Sequence, residues 1–126
     1  MIYQSAFWLV GFGGIVGTCI RYYLGKWLTA KTGTQFPWGT WVINLSGSLL
    51  LGILFKLYHS EHLTDSLWWM LGVGFCGAYT TFSTFGYEMQ QILEKQKFVR
   101  AAIYMLSSIS LGLLLAWVGM SLTQTK

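Results

Sequence analysis

Charge is scarce in this sequence. Among 126 residues, 8 are Lys or Arg and 4 are Asp or Glu, so only 10% are charged. Soluble domains carry about 25%. With 54% hydrophobic residues and a mean hydropathy of +0.52, the chain lacks the polar surface to stay dissolved alone. The shortage of acids has its own consequence. No Asp or Glu falls in an apolar segment before Glu88, near the end of the third such segment. Paired-carboxylate catalysis therefore has no basis, and no Ser–His–Asp or Cys–His constellation replaces it.

The few bases give a formal charge of +4. They lie beside apolar segments, which fits a membrane flank better than a nucleic-acid surface. Cysteine is also rare. Cys19 and Cys76 both fall in apolar segments without metal-ligand spacing, so two buried thiols are expected and a disulfide is not. The single proline, Pro37, stands where a helix start tolerates it. No basic stretch precedes the apolar run in MIYQSAFWLV, so a cleaved signal peptide is not expected and the first segment should persist.

What the chain has is apolar length. Four segments, at roughly 6–28, 38–58, 67–93 and 101–122, are long enough to span a bilayer, which takes about 20 helical residues. The expectation is one all-α transmembrane domain over residues 1–126 with four spans. Short polar links join them. An even number of spans puts both termini on one side. Lys31, Lys95, Lys97 and Arg100, with Lys26 near a helix end, then share the other, which the positive-inside rule makes cytoplasmic.

The third segment contains GVGFCGAYTTFSTFGY, residues 72–87. Gly72, Gly74 and Gly77 lower helix propensity. Thr80, Thr81, Ser83 and Thr84 then offer four hydroxyls within five residues. Non-helical backbone at membrane depth is tolerated only inside protein or beside a water-filled cavity. The segment reads as a helix broken near its middle to expose carbonyls, hydroxyls and aromatic edges. That suits an ion site. The glycines also satisfy G-x-G-x-x-G, but no strand precedes them, so a dinucleotide site is rejected.

Other candidates lie around this segment. Phe82 and Phe85, three apart, share a helical face. Their ring edges are electropositive and could meet an anion without holding it tightly; ordinary packing is the plainer reading. Asn44 could line a pore as a donor or make a helix–helix hydrogen bond. Tyr104 and Ser108, four apart, could form a hydroxyl track or a packing face. Arg21 is either an interface anchor or part of an electropositive vestibule. Gly13 and Gly17 suit close helix approach. His59 and His62 sit in a polar loop with Glu61 and Asp65, a weak case for a metal.

GGIVGTCIRY, PWGTWVINLSGSLLLG and GFCGAYTTFSTF together resemble the Fluc (CrcB) family of fluoride-specific ion channels, over nearly the whole chain. The resemblance implies a dual-topology dimer of antiparallel protomers with two fluoride pathways. It implies that Asn44, Phe82, Ser83, Thr84, Phe85, Tyr104 and Ser108 line the pathway and that Arg21 belongs to the vestibule. It also implies a structural sodium ion at the dimer interface, held by the backbone carbonyls of Gly77 and Thr80. Ala78 stands where the family often has a second glycine, and alanine keeps the carbonyl. The basic bias of the loops leaves two partners open, a second copy or a paired homologue of opposite orientation.

The expected function is passive fluoride export, giving resistance to fluoride toxicity, by a non-enzymatic protein in the cell membrane. One alternative is a small four-helix proton-coupled multidrug transporter, which would need a membrane-buried carboxylate. Another is a non-transporting scaffold subunit, which would not need a broken polar helix.

Overall fold

The computed structural model describes residues 2–122, with side chains from residue 4 onward. It is all helix and turn among those residues. Helix α1 runs Ile2–Thr32 and ends where Gly33 takes φ +76°, a conformation open to glycine without strain. The Gly33 amide there bonds back to the Thr29 carbonyl at 2.9 Å. Pro37 then precedes helix α2, Trp38–His59. After a tight turn at Glu61 (φ 59°), the Thr64 side chain accepts the Leu67 amide and starts the third helical segment.

That segment, α3, covers residues 65–79. It comprises an α-turn Asp65–Leu67, a π-helical stretch Trp68–Cys76 and a last turn Gly77–Tyr79. At Thr80 the backbone becomes extended (φ −77°, ψ 157°), and helix resumes only as α4, Ser83–Glu94. The expected break is present. It falls on the hydroxyl run, while Gly72 and Gly74 lie in the π-helical stretch before it. A reversal with Gln96 at φ 55° leads into α5, Phe98–Leu122.

Among the described residues, three helices are long and apolar enough to cross a membrane, at Gln4–Thr32, Trp38–His59 and Phe98–Leu122. The third expected span does not qualify as one helix, because the break divides it. The most extensive packing joins α2 to α5 and α1 to the π-helical stretch. Gly13 and Gly17 make the second contact possible. A Cβ on either would strike the α3 backbone, at Met70 and Phe75 respectively.

Arg100 donates to the Gln35 carbonyl at 2.6 Å, tying the start of α5 to the first loop. The basic turn after α4 and that loop therefore share one end of the bundle. Cys76 is buried as expected, whereas Cys19 is exposed on the outer side of α1. His59 stacks on Phe55, and His62 Nδ1 lies 2.7 Å from the Ser60 carbonyl. No metal-binding group of three or more His, Cys, Asp or Glu occurs among the described residues.

Candidate functional site

The break is held by side chains that take over helix hydrogen bonds. In a continuous helix the Thr81 amide would serve the Gly77 carbonyl. Instead it donates to Asn44 Oδ1 at 2.8 Å, and Asn44 Nδ2 donates to the Thr81 carbonyl at 2.9 Å. The Thr84 amide would likewise serve the Thr80 carbonyl. It donates instead to Thr81 Oγ1 at 3.2 Å, an N-cap-like arrangement for α4. Two carbonyls, of Gly77 and Thr80, thus lose their helical donors. Gly77 is exposed on the surface of the chain. Across the bundle, Gly47 leaves room for Thr80, since a Cβ there would strike the Thr80 methyl.

The break also places two helix ends back to back. The C-terminal end of α3 carries partial negative charge and suits a cation. The N-terminal end of α4 carries partial positive charge, with no acid in its first turn, and suits an anion. The two helix ends at this break therefore suit ions of opposite sign.

A cavity of about 300 Å³ opens beside the break. Asn44, Thr81, Phe82, Phe85 and Ser108 are among its lining residues. Ser108 Oγ is buried and has no hydrogen-bond partner among the described residues. A buried hydroxyl without a partner is uncommon in folded proteins and signals an unplaced water or ion. Asn44 Nδ2 has a second hydrogen beyond the one given to Thr81. Phe82 and Phe85 lie 6.1 Å apart between ring centroids. Phe85 also packs on Tyr104 at 4.9 Å, whereas Phe82 is 85% exposed. Ser83 and Thr84 are also exposed, and Thr84 lines a different cavity from Phe82.

Tyr104 meets a carboxylate from another helix. It is fully buried, and its hydroxyl donates to Glu88 Oε2 at 2.8 Å. The other carboxylate oxygen, Oε1, accepts from Thr40 at 2.8 Å. Tyr104 is not among the residues lining the Ser108 cavity. A second cavity, of about 360 Å³, holds Arg21, Thr40, Thr81, Thr84 and Glu88. Arg21 therefore lines this second cavity, and Thr81 lines both.

Three residues of the site lie outside the sequence-predicted set. Thr81, three residues ahead of Thr84 at a helix start, carries the pattern of a cap. Glu88 and Thr40 join the site through a hydrogen bond between α4 and α2. No local pattern announces the Thr40–Glu88–Tyr104 set, since its members come from α2, α4 and α5.

Three long apolar helices, a further helical segment divided at residues 80–82 and two cavities beside the division define a multi-pass membrane protein of the ion-conducting kind. The sequence profile of the CrcB-like proteins (Camphor Resistance, CrcB) matches residues 8–120, and the chain belongs to that family. It is 42% identical over 118 residues to the Fluoride-specific ion channel FluC 2 of Clostridium acetobutylicum, covering 94% of this chain and 97% of that protein. It is 48% identical over 113 residues to FluC 2 of Moorella thermoacetica, covering 89% of this chain and 92% of that protein. A third relative, FluC of Acidobacterium capsulatum, is 41% identical over 113 residues, covering 88% and 90%.

Proposed function

We propose that this protein is a fluoride-selective channel through which fluoride leaves the cell down its gradient. The family and the names of its relatives point to fluoride. The observation that carries the reading is the partnerless Ser108 hydroxyl in a cavity shared with Asn44, Phe82 and Phe85. These groups are hydrogen-bond donors and aromatic edges, the chemistry that replaces the hydration of a small anion without fixing it in place.

In this reading the ion passes Asn44, Phe82, Phe85 and Ser108, with the hydroxyls of Ser83 and Thr84 beside them. Arg21 raises the local anion concentration in a vestibule. Tyr104 acts through Glu88, which it holds by a hydrogen bond. A second antiparallel copy, or an oppositely oriented homologue, covers Gly77 and Phe82, which lie exposed beside the break. A bare carbonyl facing lipid is unfavourable, which supports such a partner. The Gly77 and Thr80 carbonyls fit a hard cation, and sodium is the proposed occupant. Its chemistry there is purely structural, neutralising oxygens that the break has released.

Glu88 favours one rival. Its carboxylate lies within the helix cluster, as a proton-coupled transporter requires. Fluoride efflux from liposomes separates the two. A passive channel moves charge, so efflux requires an added potassium ionophore and chloride does not follow. A proton-coupled multidrug transporter releases neither halide but moves a cationic dye when a proton gradient is imposed. Equal chloride and fluoride efflux removes the channel reading, and movement of neither halide nor dye favours a scaffold.

A further inference from the structure

We infer that the end of the bundle formed by the first loop and the start of α5 binds the phosphate and one acyl chain of an anionic phospholipid. Two adjoining cavities carry the inference. One, of about 350 Å³, is polar and includes Gln35, Lys95, Lys97 and Arg100 in its lining. The other, of about 600 Å³, is lined by Phe98, Val99 and Ile103 together with Lys97 and Arg100. Phe36, Lys97 and Arg100 belong to both, so the basic groups stand where a polar chamber meets an apolar groove. A phospholipid has that same division between headgroup and chain.

Charge points to an anion. Lys95, Lys97 and Arg100 surround the N-terminus of a 25-residue helix whose first turn has no acid. Bases there oppose the helix dipole, and a bound phosphate relieves both charges at once. The turn with Gln96 at φ 55° brings Lys95 and Lys97 close to that N-terminus. Arg100 donates from Nη1 to the Gln35 carbonyl and from Nη2 to Gln35 Oε1 at 3.5 Å, which orients the guanidinium and leaves its remaining N–H donors for an anion. Lys31, by contrast, lies over the Trp27 ring at 4.9 Å and is engaged elsewhere. Glu88 also lines the polar cavity, but Thr40 and Tyr104 occupy its two oxygens.

The apolar part points to a chain rather than to a free anion. Phe98 is 64% exposed, Val99 75% and Ile103 56%, at the start of a helix long and apolar enough to span a bilayer. A free phosphate or fluoride has no use for such a groove. Basic pockets beside transmembrane helices are known hosts of anionic headgroups.

The test uses full-length protein in neutral detergent, with bound lipid counted by native mass spectrometry. Phosphatidylglycerol and phosphatidylcholine of identical chains are titrated separately. Preferential retention of phosphatidylglycerol is expected. Lys95→Gln with Lys97→Gln leaves the Arg100–Gln35 tie intact and should weaken that binding about twenty- to thirtyfold, a factor of about five per base. Ile103→Ser should weaken both lipids. Equal retention of the two lipids overturns the inference, as does wild-type affinity in the double variant. Displacement by glycerol phosphate at equal concentration would make this a free-anion site instead. A change of oligomeric state in the double variant, with lipid binding unchanged, would assign the groove to another copy of the chain.

Discussion

Asn44 and Thr81 clasp each other through two hydrogen bonds, of 2.8 and 2.9 Å, between one side-chain amide and one backbone unit. The clasp occupies the point where the third helical segment would otherwise continue. It ties the proposed anion path to the two carbonyls proposed for the cation. Asn44 thus has a structural duty beside any contact with fluoride.

That duty changes what a substitution at Asn44 does. Asn44→Asp keeps an acceptor for the Thr81 amide but loses the donor and turns a carboxylate toward the Thr81 carbonyl. Unmatched polar groups of this kind cost about 1–3 kcal/mol. Fluoride efflux should fall by roughly tenfold or more, the effect of about 1.4 kcal/mol on a rate. Denaturant unfolding should fall with it. Loss of flux at unchanged stability would confine Asn44 to the anion path.

The two phenylalanines should separate by stability. Phe85→Ile removes a ring packed 4.9 Å from Tyr104, and such aromatic pairs are worth about 0.5–1.5 kcal/mol beyond burial. Phe82 is 85% exposed on the chain and touches less of the core. Both substitutions should reduce fluoride efflux, because each removes an electropositive ring edge. Only Phe85→Ile should lower the unfolding midpoint measurably. Normal efflux in both variants would remove the aromatic-edge mechanism.

Ser108→Ala tests the orphan hydroxyl. Removing a partnerless buried hydroxyl leaves no protein group unsatisfied, so stability should hold or rise slightly. Efflux should drop, since the donor served the ion. Clear destabilisation at wild-type efflux would mean that the hydroxyl belongs to the packing.

Cation removal tests the released carbonyls. Replacing sodium with a bulky organic cation should lower the unfolding temperature, and restoring sodium should return it. Saturation at a hundredfold above the dissociation constant is worth about 2.7 kcal/mol. A midpoint independent of sodium would leave the Gly77 and Thr80 carbonyls to some other partner.

Much of the site was legible because membranes make certain irregularities expensive. Four hydroxyls clustered among apolar residues forecast a break, and Thr80 and Thr81 are where it occurs. Gly13 and Gly17 forecast close approach for the same reason, since small residues are what allow backbones to touch. The contact of Tyr104 with Glu88 was not legible in this way. Four-residue spacing put Tyr104 on the face of Ser108, but spacing along one helix does not reveal a carboxylate on another.

The sequence by itself determined the solvent and the scaffold of this protein. Scarce charge and long apolar segments require a bilayer, and TTFSTF cannot continue as a plain lipid-facing helix. Tertiary structure alone decided which groups meet. Asn44 reaches Thr81 across 37 positions, and Thr40 reaches Glu88 across 48. Hydrogen-bond partners that far apart depend on how the helices pack, and packing angle and register are not encoded in the period of any single helix.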